Sequence, residues 1–177
     1  LCHDQHSLAL WPQEFKAWFD IELEGNSVSM RLHVENIGNT AMEFTAALHT
    51  YFALETIENA VIRNLQSCEF WDNGNAFSKR GHQQPRELII NKMIDRVYFN
   101  TLKPLSLVEP EVTRLIESQG FSDTVVWNPW LEGANALADM DHDEYQKMLC
   151  IESANVATPV CLSVGESWQG VQKVTVV

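Results

Sequence analysis

Phe15-Lys16-Ala17-Trp18-Phe19-Asp20-Ile21-Glu22-Leu23-Glu24-Gly25-Asn26-Ser27-Val28-Ser29-Met30-Arg31-Leu32-His33-Val34-Glu35 is the stretch that decides the fold class. Phe15, Ala17, Phe19, Ile21 and Leu23 alternate with Lys16, Asp20, Glu22 and Glu24, interrupted only by Trp18. Val28, Met30, Leu32 and Val34 then alternate with Ser29, Arg31, His33 and Glu35. A period of two belongs to a strand with one face turned to a core, and Gly25-Asn26 supplies the tight turn, so the segment reads as a β-hairpin. Upstream, Trp11-Pro12 turns the chain into it, because proline fixes its own φ and biases its predecessor toward extended backbone. Downstream, Asn36-Ile37-Gly38-Asn39 leads into a third strand. That strand places Met42, Phe44, Ala46, Leu48 and Phe52 on one face and Glu43, Thr45, Ala47, His49 and Tyr51 on the other. His49 therefore leaves the core side, where a rigid strand could hold it as a proton donor or acceptor at the floor of a cleft.

The same pattern continues more weakly. Ala60-Val61-Ile62, Cys68 to Trp71, Glu87 to Ile90, Arg96 to Phe99, Val112 to Ser118, Thr124 to Trp127, Leu149 to Glu152, Val160 to Ser163 and Val171 to Val177 each read as strands. Asp72-Asn73-Gly74-Asn75 and Ser78 to Gln84 read as loops, and Asn128-Pro129 stops the strand before it. One short helix is expected over Asp141 to Met148, with Asp141 as N-cap and Glu144 completing a capping box. About ten strands with frequent turn signals imply a sandwich or barrel, and no repeat or linker divides the chain.

Composition narrows the function classes. A formal charge of -12 in 177 residues disfavours nucleic-acid and anionic-membrane binding, which need a basic face. No apolar run is long enough to span a membrane, and the opening residues lack the pattern of a secretory signal. The four cysteines, Cys2, Cys68, Cys150 and Cys161, show no pairing or metal-ligand spacing and read as reduced thiols of a cytoplasmic protein. Leu1 stands where an initiator methionine would, which suggests that residues before it have been removed. Cys2, His3 and His6, although able to pick up a metal adventitiously, are expected in a flexible opening segment.

Several motif searches fail. Asp139-x-Asp141-x-Asp143 opens like a calcium loop, but Glu144 and Cys150 stand where glycine and the bidentate glutamate belong. Gly165-Glu166-Ser167-Trp168-Gln169 lacks the closing glycine of a nucleophile elbow. There remain His49 and the acidic residues Asp95, Asp123 and Glu152. His49 is either a structural strand histidine or a general acid. Glu152 ends the apolar run Met148-Leu149-Cys150-Ile151, so it is either a strand-end carboxylate in solvent or one whose entry into a dry site raises its pKa. Asp95-Arg96 is an exposed pair or a ligand-facing one. Trp127-Asn128-Pro129-Trp130 is core plus turn, or the stacking wall of a sugar site.

Six blocks then decide among these alternatives: Ala47 to Phe52, Asp95-Arg96-Val97-Tyr98, Asp123 to Trp130, Asp139-Met140 with Glu144-Tyr145, Met148 to Glu152, and Gly165-Glu166-Ser167-Trp168. In this order they resemble the glucose-6-phosphate 1-epimerases, the hexose-6-phosphate mutarotases of the aldose-1-epimerase superfamily. The resemblance runs from Trp11-Pro12 to the last strand and corresponds to the C-terminal portion, roughly three fifths, of a full-length member. It implies an all-β, antiparallel β-supersandwich of the galactose mutarotase type, with residues 1–177 as the C-terminal portion of one domain and the N-terminal part of the fold absent. It implies anomer interconversion of hexose 6-phosphates, with His49 as acid, Glu152 as base, and Asp95, Arg96, Trp127 and Asn128 around the sugar. It implies no metal and no cofactor. The family's phosphate-holding arginines are not among these residues; the cations on hand are Arg63, Lys79-Arg80 and Arg96. Sheet edges left bare would invite pairing with another chain. The rival reading is a non-catalytic carbohydrate-binding module.

Overall fold

The computed structural model describes residues 1–73 and 79–177, and among them the chain forms fourteen strands. In chain order these are β1 (Phe15–Glu24), β2 (Ser27–Asn36), β3 (Met42–Leu48), β4 (Tyr51–Ala53), β5 (Val61–Arg63), β6 (Glu69–Asp72), β7 (Lys79–His82), β8 (Glu87–Ile89), β9 (Ile94–Tyr98), β10 (Leu105–Val108), β11 (Thr113–Gln119), β12 (Asp123–Asn128), β13 (Met148–Leu162) and β14 (Ser167–Val176). Two seven-stranded sheets result: β1-β2-β14-β11-β10-β5-β8, and one ordered β3-β13-β12-β9-β6-β7 with β4 also paired to β13. Each of these pairings is antiparallel. This is the expected all-β sandwich.

The opening hairpin forms as its alternation requires. β1 and β2 pair from Phe15 opposite Asn36 to Glu24 opposite Ser27, leaving Gly25-Asn26 as the loop. Gly25 has φ of +57°, the left-handed geometry that a two-residue hairpin turn needs at its first position. The core lies between the sheets. Ile62, Leu105, Leu107, Ile116 and Val174 from the first sheet meet Phe52, Ile94, Tyr98, Val126, Leu149 and Ile151 from the second. A smaller cluster joins Val34, Met42 and Leu162 at one end. The inner face of β1 is only partly covered: Phe19, Ile21 and Leu23 point the expected way yet remain exposed.

Several expectations are corrected. The helix over Asp141 to Met148 is a single 3-10 turn, Glu144–Lys147, and Met148 already begins β13. Half of the capping box exists, since the Asp141 amide donates to Glu144 Oε2 at 2.9 Å, but the N-cap of the turn is Asp143, whose side chain makes no capping hydrogen bond. Two short α-helices lie elsewhere: α1 (Gln5–Leu10) and α2 (Trp130–Ala134). The opening segment is not loose: Asp4 and Ser7 cap α1 reciprocally, and the His3 amide donates to the Phe15 carbonyl at 3.2 Å. Lys79 to His82, expected in a loop, is strand β7 against β6; Gly81 suits it because a Cβ there would lie 2.6 Å from the Phe70 ring. Of the other residues expected in loops, Asp72 closes β6, and Gly74, Asn75 and Ser78 lie outside the described residues. The strands expected at Leu149 to Glu152 and Val160 to Ser163 are one 15-residue strand, β13, whose register against β3 shifts between Asn155 and Val160. Asp123 holds that irregularity by accepting from the Val156 and Ala157 amides, both at 2.9 Å. Strand β10 lies in a stretch where the sequence reading places no element.

Candidate active site

The pleat of the second sheet sorts the candidate residues. Along β13, residues two apart share a face, so Cys150 and Glu152 look the same way. Cys150 lies opposite Trp127, and Trp127 lies opposite Asp95. On its other side Cys150 is opposite Tyr51. Tyr51, Cys150, Trp127 and Asp95 therefore form one row across four strands, and Glu152 lies one step along, opposite Val125. This outer face of the sheet, away from the core, is the candidate site.

His49 enters it through register. β3 ends at Leu48 and β4 begins at Tyr51, so His49-Thr50 interrupts the ladder. The register is the same on both sides: Ser153 is opposite Leu48, and Cys150 is opposite Tyr51. Counting inward from either side puts His49 opposite Glu152, and their Nε2 and Oε1 atoms are 3.3 Å apart. The imidazole stacks on Tyr51, with centroids 4.8 Å apart, and meets the edge of Trp127 at 6.0 Å. Its side chain is half exposed, whereas that of Glu152 is 6% exposed.

Burial governs the electrostatics. Removing the Glu152 carboxylate from water raises its pKa to about 7, and the negative charge of Asp95 adds to the shift. Asp95 is itself raised by burial, with the Asn73 amide opposing that by donating to Oδ1 at 2.9 Å, and Asp72 reinforcing it. Burial also pushes the Tyr51 hydroxyl up, helped by Cys150 and Glu152. The Cys150 thiol is pushed far up, chiefly by burial and then by Glu152. The site is a dry acidic corner with one imidazole at its mouth.

Of the candidate site residues, His49, Glu152, Asp95 and Trp127 share this face, and two others do not serve it. Arg96 is adjacent to Asp95 and so projects from the opposite face. There it pairs with Asp72 at 3.3 Å, lies over the Phe70 ring at 4.2 Å and donates to the Tyr98 hydroxyl. It lines a separate cleft of about 510 Å³ with Trp130 and Glu132. Asn128 is fully buried. Its Nδ2 donates to the Tyr145 and Met148 carbonyls at 2.8 and 2.9 Å, and its Oδ1 accepts from the Trp130 amide at 2.9 Å. It ties the turn after β12 to the entry of β13, which leaves nothing for a sugar. Asp123, as noted, holds the β13 irregularity.

Two residues reach the site unmarked by sequence motif. Cys150 enters because it is two positions from Glu152. Gln172, on β14, is fully buried behind the site: its Nε2 donates to the Ile151 carbonyl and the Ser153 hydroxyl, each at 3.0 Å, and its Oε1 accepts from the Thr50 hydroxyl. It thus grips the neighbours of both His49 and Glu152 from across the core.

Comparison with known proteins places this arrangement. A protein of Cenchrus ciliaris named "Putative glucose-6-phosphate 1-epimerase" is 30% identical over 171 residues, which are 94% of this chain and 52% of that protein. A Haemophilus influenzae protein of the same name is 26% identical over 149 residues, 81% of this chain and 52% of its own length. The chain thus spans about half the length of the curated relatives it matches. Among solved structures, a Salmonella typhimurium protein titled "putative mutarotase (YeaD)" superposes with a TM-score of 0.89 at 22% identity, covering 100% of this chain and 58% of that one. A galactose mutarotase-like protein of Clostridium acetobutylicum superposes at 0.75 with 16% identity, covering 100% of this chain and 61% of its own. These likenesses show a galactose mutarotase-like sandwich. With the aldose 1-epimerase pattern matched from residue 1 to residue 175, the chain belongs to the aldose 1-epimerase family.

Proposed function

We propose that this chain carries the acid–base pair of a hexose-6-phosphate mutarotase, interconverting the α and β anomers by ring opening and closure. The observation that carries this reading is the 3.3 Å approach of His49 to a Glu152 whose pKa lies at about 7. The two oxygens that must exchange protons, the anomeric hydroxyl and the ring oxygen, are bonded to one carbon. Acid and base must therefore be close neighbours, and here strand register makes them so. Glu152 takes the proton from the anomeric hydroxyl while His49 protonates the ring oxygen. The carbon–oxygen ring bond breaks, the aldehyde end rotates, and the reverse transfers close the ring on the other face. A base titrating near neutrality can take the proton and give it back, as a reversible reaction demands. Asp95 accepts from a sugar hydroxyl, and the Trp127 ring offers a flat apolar face to sugar C–H groups.

The names of the curated relatives support a 6-phosphate substrate. Within this chain, Arg63, Arg80 and Arg96 are each committed to a carboxylate, Glu87, Glu69 and Asp72 respectively. The contribution we assign to this chain is the anomeric end of the substrate, where His49 and Glu152 lie. Free thiols at all four cysteines support a reducing compartment, the cytoplasm, as its location.

The test is anomer exchange of glucose 6-phosphate followed by NMR. It is run on this chain alone and on a version carrying the N-terminal portion of the Cenchrus ciliaris relative. Acceleration in at least one form, lost by roughly 10²- to 10⁴-fold in His49→Ala and in Glu152→Gln, is expected. Sugar binding without acceleration in either form would reject the enzyme and assign a carbohydrate-binding module instead.

A further inference from the structure

Cys150 takes no part in the chemistry above, yet its sulfur lies with His49 and Glu152 so that one ligand atom from each falls within 4.8 Å of the others. Strand geometry causes this. Cys150 and Glu152 share a face of β13, and the register places His49 opposite Glu152. We infer that His49, Cys150 and Glu152 form a binding site for a thiophilic divalent cation of the Zn²⁺ class, whose occupancy withholds the acid and the base from a sugar.

The donor set selects the ion. One sulfur, one imidazole nitrogen and one carboxylate oxygen suit borderline-soft, tetrahedral ions, whereas Mg²⁺ and Ca²⁺ take oxygen ligands. The spacing fits as well. Bonds of about 2.0–2.3 Å to a tetrahedral ion place ligand atoms roughly 3.3–3.8 Å apart. His49 Nε2 and Glu152 Oε1 already meet this at 3.3 Å. His49, half exposed at a gap in the ladder, is the ligand with room to complete the geometry and marks the entry path. Glu152 is 5% exposed, and among the described residues His49 is its one polar partner, so most of its acceptor capacity is unspent. The protein's charge of -12 further enriches cations around it. On binding, the thiol proton passes to water, the sulfur–metal bond forms, and a water takes the fourth position.

Metal binding stands independently of the mutarotase reading; only its inhibitory consequence rests on it. The probe is Co²⁺, added anaerobically to the full chain and followed by its thiolate charge-transfer band and four-coordinate visible absorption. One equivalent is expected to give both signals, and Zn²⁺ to displace them. Cys150→Ser should remove the charge-transfer band, and Cys2→Ser with Cys161→Ser should keep it. Should Cys150→Ser fail to fold by circular dichroism, His49→Ala and Glu152→Gln decide: each should keep the band while weakening affinity roughly 10- to 100-fold. Absence of the band in the wild-type chain, its survival in folded Cys150→Ser, or unchanged affinity in both other variants overturns the site. If anomer exchange proceeds, saturating Zn²⁺ should abolish it; undiminished exchange overturns the inhibitory role while leaving the mutarotase reading intact. If no exchange is found in any form, the cobalt titration still judges the site alone.

Discussion

At Glu152 the proposed activity and the stability of the fold turn on the same proton. The carboxyl's folded pKa of about 7 lies above the ordinary value of 4.5. With a chelator present, kcat/KM for anomer exchange should therefore climb about tenfold per pH unit below about 7, as the carboxyl becomes the base. Stability runs the other way. Between the two pKa values the folded chain holds a proton that the unfolded chain has released, so folding stability falls as pH rises from 4.5 to about 7 and is flat beyond. Glu152→Gln removes the cost of burying the charge. It should be inactive yet more stable than the parent at about pH 8, by roughly 1 kcal/mol, less than the full shift would give because the His49 side is open to water. That advantage should vanish near pH 4. Urea denaturation at both pH values checks it; a Gln variant less stable than the parent at high pH would show that the carboxylate is stabilised by partners not seen.

At the scale of elements, the site depends on β13 being held from two sides. Gln172 on β14 grips Thr50, Ile151 and Ser153, the neighbours of His49 and Glu152. Gln172→Leu fills the space without the bonds, and a misplacement of about 1 Å between His49 and Glu152 costs roughly 10²-fold in rate. The expected result is a fall in kcat of that order with KM nearly unchanged, and a stability loss of about 1–3 kcal/mol from the unpaired groups. Asn128→Ala should lower stability alone, by about 2–4 kcal/mol in urea, while leaving both kcat and KM of the folded fraction unchanged. Asp95→Asn, in contrast, should raise KM. The same elements show what a sequence can reveal. The hairpin and the outward face of His49 were legible because a period of two is a local property. Arg96 was legible in principle: as the neighbour of Asp95 it had to face the other way, and treating the two as a pair ignored the pleat. The role of Asn128 was not, because its partners Tyr145 and Met148 are fixed only by tertiary contact. Nor was the continuity of β13, whose polar middle is held by Asp123 from 33 and 34 residues away. That Cys150 shares a face with Glu152 follows from their spacing of two, but the approach of His49 to both is assembled across strands and was not legible.

For the molecule as a whole, β1, one of the two edge strands of the first sheet, leaves much of its inner face uncovered. Ile21 and Leu23 are 64% and 80% exposed on the face that points inward. Beside them an apolar trough of about 490 Å³ runs to Val28, Met30, Phe52 and Val174. No helix among the described residues is long and apolar enough to cross a membrane. A long edge strand with an apolar flank is a template for pairing. Tyr51 and Phe52, neighbours on β4, both border this trough. We expect this chain to self-associate with rising concentration in sedimentation velocity, and Ile21→Lys to shift it toward monomer. Lysine makes that test severe. It lowers the net charge from -12 toward neutrality, which by itself favours association, so a shift toward monomer can come only from loss of the apolar face. Fusing on the N-terminal portion of a full-length relative should suppress association in the parent chain and make Ile21→Lys destabilising, because the lysine would then be buried. A parent chain that stays monomeric at the highest concentrations, or an Ile21→Lys variant that associates as strongly, would remove β1 as the surface that seeks a partner.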